Sequence, residues 1–102
     1  MTVYIVFADA AEAERIGRAM VEARLAACVN ILGPCQSIYH WQGTIETATE
    51  TPVLFKTTTD RIDALIARVR LLHSYENPAI VVWPIERLAA AFGNWVEAEA
   101  TG

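Results

Sequence analysis

Both cysteines and one of the two histidines of this 102-residue chain fall in one stretch, CVNILGPCQSIYHW, from Cys28 to Trp41. A thiolate beside an imidazole would hold a soft metal ion, and two thiols would close a disulfide. The spacing argues against both. Metal knuckles keep two to four residues between their cysteines so that a tight turn aims both sulfurs at one ion, whereas Cys28 and Cys35 are seven apart. Extended chain spans about 23 Å over seven residues and about 40 Å over the twelve to His40. Only a bend at Gly33-Pro34 would shorten those paths. A cysteine nucleophile with His40 or His73 as base is the other chemistry on offer. Neither cysteine precedes a helix N-terminus, and Cys28 lies in an apolar run where inert thiols are usual.

A second polar cluster, HSYENP from His73 to Pro78, has two readings. It can be a helix C-terminus, with His73 at the negative end of the dipole and Pro78 blocking continuation. Alternatively His73, Tyr75 and Glu76 present their polar groups at the rim of a site.

The elements that must position these residues follow from periodicity. TVYIVFA (2–8) reads as a buried strand. Asp9 and Glu12 have capping-box spacing, and Ala13, Ile16, Met20 and Ala23 recur at helical steps between charged residues, giving a helix over 10–24. AACVNIL (26–32) and CQSIYHW (35–41) form one long strand broken at Gly33-Pro34. Gln42-Gly43 is a turn, and 44–58 a return strand in which Pro52 is expected at a bulge or an edge. Asp60 and Asp63 open a second helix with the stripe Ile62, Leu65, Ile66, Val69 and Leu72, ending near His73. A last strand (79–85) and a closing helix marked by Leu88, Phe92, Trp95 and Val96 complete the chain.

The order β-α-β, β-α-β, α is that of an α+β ferredoxin-like βαββαβ sandwich with an extra C-terminal helix, in one domain across 1–102. Helices then cover one face of an antiparallel sheet and leave the other bare. With 54% apolar and 20% charged residues and a mean hydropathy of +0.28, a small subunit has difficulty hiding its apolar surface, so self-association is expected. A net charge of −4 gives no footprint for nucleic acid or anionic lipid. The six-residue run VYIVFA lacks a basic flank and is neither a leader nor a membrane span, so the chain reads as cytoplasmic with reduced thiols. Other functions of this fold leave marks that are missing: stacking aromatics among basic residues for RNA, a Cys-x-x-Cys loop for metal transfer, an arginine-bearing anion loop for phosphate chemistry.

Five blocks, RLAACVNI (24–31), SIYHWQGTIE (37–46), LFKTT (54–58), LHSYENPAIV (72–81) and FGNWV (92–96), together resemble the CutA divalent-cation-tolerance proteins in order and spacing. The resemblance spans nearly the whole chain. It implies a homotrimer like that of the PII-type signalling proteins, with strands pairing across subunits, no enzymatic activity, and a role in tolerance of copper or other divalent cations.

By position, the resemblance makes Cys28, Tyr39, Trp41, Glu46, Glu50, Lys56, Thr57, His73, Tyr75, Glu76 and Trp95 candidates for the lining of an intersubunit cleft. Cys28, His73 and Glu76 are its candidate metal ligands, a donor set suited to copper, and no cofactor is required. Ser74 stands where the family usually has proline, and Phe92 where it often has tyrosine. Each residue also has a structural reading: Cys28 as core, Tyr39 and Trp41 as interface packing, Lys56 as the ion-pair partner of Glu46 or Glu50, Trp95 as a lid over the core. Without metal, the same cleft would dock a protein or nucleotide, as a PII-like scaffold does.

Overall fold

The computed structural model describes residues 1–102. Strand β1 (Thr2–Phe7) leads into helix α1 (Ala10–Glu22), followed by β2 (Cys28–Ile31), β3 (Cys35–Trp41) and β4 (Thr44–Lys56). A short 3-10 turn (Thr59–Arg61) precedes α2 (Ile62–Leu72), and β5 (Ile80–Trp83) and α3 (Ala90–Glu99) end the chain. The sheet order is β2-β4-β1-β5, all antiparallel, with β3 continuing along β4 beyond β2. This is the ferredoxin-like sandwich with an added C-terminal helix. The expected strands 26–32 and 79–85 are each shorter than read, because Ala27 and Leu32 flank β2 as irregular chain and Pro84 cannot donate to a ladder.

Alternation along the strands separates two faces. Val3, Ile5, Phe7, Val53 and Phe55 are fully buried beneath the helices and pack with Ile16, Met20, Leu65 and Val69. Asp9 caps α1 by accepting the Glu12 N–H at 2.8 Å, as the spacing required. Gly17 lets α1 approach β2: a Cβ there would lie 3.3 Å from both methyls of Val29.

Pro52 departs from expectation. It lies inside the long strand β4, paired one-to-one with Val6 and with no bulge. Its carbonyl accepts from Leu32 N at 3.0 Å, on the side where β2 has ended and β3 has not begun. A residue's N–H and C=O point to the same side of an antiparallel strand. The missing N–H of Pro52 therefore faces Leu32, just past the end of β2 and next to the break at Gly33-Pro34, so the one bond forgone lies where the ladder is already ending.

Beyond that break, β3 and β4 form a two-stranded arm, Cys35↔Glu50 to Trp41↔Thr44. No helix lies over it, and Ile38, Tyr39, Trp41 and Ile45 are exposed. The chain's longest extent is 45 Å.

Candidate functional site

The register gathers most of the candidates on one surface. Cys28, Lys56, Thr2 and Trp83 form a row across the sheet, and Asn30, Leu54, Tyr4 and Val81 the next, all facing away from the helices. By the same alternation Glu50, Glu46, Tyr39 and Trp41 continue that open face along the arm, with Tyr39 directly opposite Glu46. The indole of Trp83 stacks on Tyr4 with ring centroids 5.2 Å apart.

At the Val6 end of the sheet a polar network joins three elements. The His73 Nε2–H donates to the Val6 carbonyl at 2.8 Å, and Nδ1 accepts the Tyr75 N–H at 3.0 Å. A nitrogen facing a donor carries no proton, so the ring is the neutral Nε2–H tautomer. It stacks on Phe7, 4.9 Å between centroids, and its side chain is wholly buried. The Tyr75 hydroxyl donates to Glu50 Oε2 at 2.7 Å, tying the post-helix loop to the base of the arm. Burial, with the Glu50 carboxylate as acceptor and neighbouring charge, pushes the Tyr75 phenol well above its ordinary range.

Glu12 completes the network, and it was not among the sequence candidates. It is only 5% exposed. Its Oε1 accepts the Ala8 N–H at 3.2 Å and its Oε2 the Ser74 N–H at 3.0 Å. Burial pushes its pKa up, but bonds from Ser74 and Ala8 outweigh burial and hold it below the usual carboxylate range. The only signal was the capping-box spacing, which foretold a bond back to the cap residue. The carboxylate bypasses that bond and reaches the loop after α2 instead.

The proposed metal ligands do not converge. His73 has both nitrogens engaged and sits inside the subunit, not at a rim. Cys28 lies four residues along the sheet from Val6, about 13 Å away at strand rise. Burial raises its thiol pKa despite Lys56 alongside, which disfavours the thiolate a metal needs. Glu76 is exposed, and no group of three or more His, Cys, Asp and Glu residues in the chain is arranged to hold an ion. Within the single chain these residues do not fit copper. Both cysteines are free.

Three other candidates are elsewhere or differently engaged. Lys56 pairs with neither Glu46 nor Glu50, its ammonium donating to Asn30 Oδ1 at 3.0 Å. Thr57 is 1% exposed and ties β4 to the α1–β2 connection through a 2.7 Å bond to the Leu25 carbonyl. Trp95 does not cover the core. It is exposed on α3, stacked on Phe92, while Val96 of that helix and Ala100 just after it pack on Ala27 at the Lys56 end of the sheet.

A family model described as CutA1 divalent ion tolerance protein matches residues 1–99. The chain belongs to that family. The divalent-cation tolerance protein CutA of Archaeoglobus fulgidus is 40% identical over 95 residues, covering 93% of this chain and 92% of that protein. The CutA of Thermus thermophilus is 44% identical over 90 residues, 88% and 86% of the two chains. Mouse Protein CutA is 40% identical over 84 residues, and there the chain spans about half (48%) of its relative's length.

Solved CutA structures share the architecture. That of the periplasmic divalent cation tolerance protein from Archaeoglobus fulgidus gives a TM-score of 0.95 at 38% identity, over 98% of this chain and 97% of that one. The Thermus thermophilus protein gives 0.95 at 39% identity, over 99% and 100%. In this chain no helix is long and apolar enough to cross a membrane.

Proposed function

We propose that this CutA1-family chain acts in divalent-cation tolerance as a homotrimer, with a cation or small ligand held in clefts between copies. One observation carries the reading. All three tryptophans, Trp41, Trp83 and Trp95, are between 42% and 56% exposed in the single chain, with Tyr39 exposed on the same face of the arm as Trp41 and Ile38 and Ile45 exposed on its other face. Exposed aromatic surface of this extent, spread over the open sheet face, the arm and α3, supports burial between copies. Donors that do not converge within one subunit can do so only by coming from more than one.

Light scattering coupled to size exclusion tests the assembly. The expected mass is about three times the 11.2 kDa of the chain, and a monomer at all concentrations would overturn the reading. Calorimetric titration of untagged protein with Cu(II) tests the ligand, with saturable binding expected.

The lack of any three-donor cluster favours a second reading, a PII-like scaffold docking a protein or nucleotide without metal. A trimer that takes up no cation but recovers a stoichiometric partner from lysate would favour it.

A further inference from the structure

The open face carries one cation and, far along the same strand, a carboxylate, each without a countercharge. Lys56 is half-buried in the row with Cys28 and Trp83, and its one polar partner is the neutral amide of Asn30. Glu46 stands opposite Tyr39, and its one polar partner is the Thr44 hydroxyl at 3.2 Å. The other carboxylate of that face, Glu50, likewise has no cation beside it, but it is part-buried and held by the shorter 2.7 Å bond from the Tyr75 hydroxyl. Lys56 and Glu46 cannot meet within one chain, since they are ten positions apart on β4, a span of about 33 Å.

We infer that Lys56 of one copy pairs with Glu46 of a second copy. Both stand on the same face of β4, Lys56 in the row of exposed Trp83 and Glu46 opposite exposed Tyr39. Burying those aromatics between copies takes both charges out of water, and a buried charge left unpaired is strongly unfavourable. Sheets pack face to face about 10 Å apart, within the combined reach of a lysine and a glutamate. Glu46, exposed opposite Tyr39, matches this lysine in charge and in having an exposed aromatic neighbour, and is the less engaged of the two carboxylates on the face. The inference rests on the self-association proposed above and names one contact that sets which part of each copy meets which.

Charge reversal tests it with the full chain. Lys56→Glu, Glu46→Lys and the double variant are compared with wild type by light scattering over a dilution series, with circular dichroism checking the fold. Where dilution leaves the assembly intact, subunit exchange followed by mass spectrometry replaces it. Each single reversal should raise the concentration of half-dissociation, or the exchange rate, about tenfold or more. The double variant should return to within about threefold of wild type. Because the two positions are too far apart to touch in one chain, such a rescue arises only between copies. Singles without effect, or a double at least as impaired as either single, would overturn the pair while leaving self-association standing. A wild type that stays monomeric overturns both.

Discussion

Glu12 and Ser74, 62 residues apart in sequence, are joined by a 3.0 Å hydrogen bond from the Ser74 N–H to the Glu12 carboxylate. With the Ala8 N–H on the other oxygen, one buried side chain closes the first turn of α1 onto the loop after α2. It thereby fixes where His73 and Tyr75 stand.

Removing that carboxylate should loosen the loop. Glu12→Ala leaves two part-buried backbone donors unanswered and should cost about 2–3 kcal/mol in chemical denaturation. Glu12→Gln keeps an acceptor and should cost less. Because the folded-state pKa of Glu12 lies below its ordinary value of 4.5, its contribution is fully present above pH 4.5 and fades as pH falls through the folded value. The acid limb of stability should therefore be shallower in Glu12→Gln than in wild type. Parallel limbs would show that the carboxylate gains nothing from its bonds.

His73 should behave as a core residue. Its ring fills space against Phe7 and answers two backbone groups, so His73→Ala should lose about 2–4 kcal/mol. Copper titrated into folded wild type and folded His73→Ala should give the same affinity. A tenfold loss of affinity in the variant would instead return His73 to the ligand set.

The hydroxyl of Tyr75 is expected to ionise only well above the ordinary phenol range. Its folded-state pKa is raised, so its contribution is complete below pH 10 and is lost as pH rises through the folded value. In an ultraviolet titration Tyr75→Phe should remove a step above the ordinary phenol range and cost about 1 kcal/mol at neutral pH. Deletion of a step within the ordinary range would mean that the Glu50 contact does not persist in solution.

The sequence made most of the fold legible because its signals are local. Asp9 caps where a cap residue must, and Ile62, Leu65 and Val69 bury as their spacing requires. Long-range relationships were not legible. Pro52 reads as an edge residue because nothing nearby reveals that the break at Gly33-Pro34 will stand beside it. Lys56 looked like a partner for Glu46 or Glu50 until the register set them far apart on a straight strand. His73 looked like a ligand because imidazole chemistry is visible in a sequence, whereas the Val6 carbonyl that occupies it is not. Glu12 escaped notice because its partner lies across the domain.

The arm's turn offers a final prediction. Gln42 and Gly43 both have positive φ, 48° and 82°, as a two-residue type I′ hairpin turn demands. Glycine takes that conformation freely and glutamine does not. Gln42→Asn should therefore stabilise the arm by a few tenths of a kcal/mol, and Gly43→Ala should destabilise it by about 1 kcal/mol. Amide exchange at Ile38 to Thr47 is the appropriate measure, since the arm can open without global unfolding. Faster exchange there in Gly43→Ala, with β1 unaffected, is the expected pattern. Equal exchange in both variants would mean that cross-strand pairs such as Tyr39 and Glu46, not the turn, hold the register.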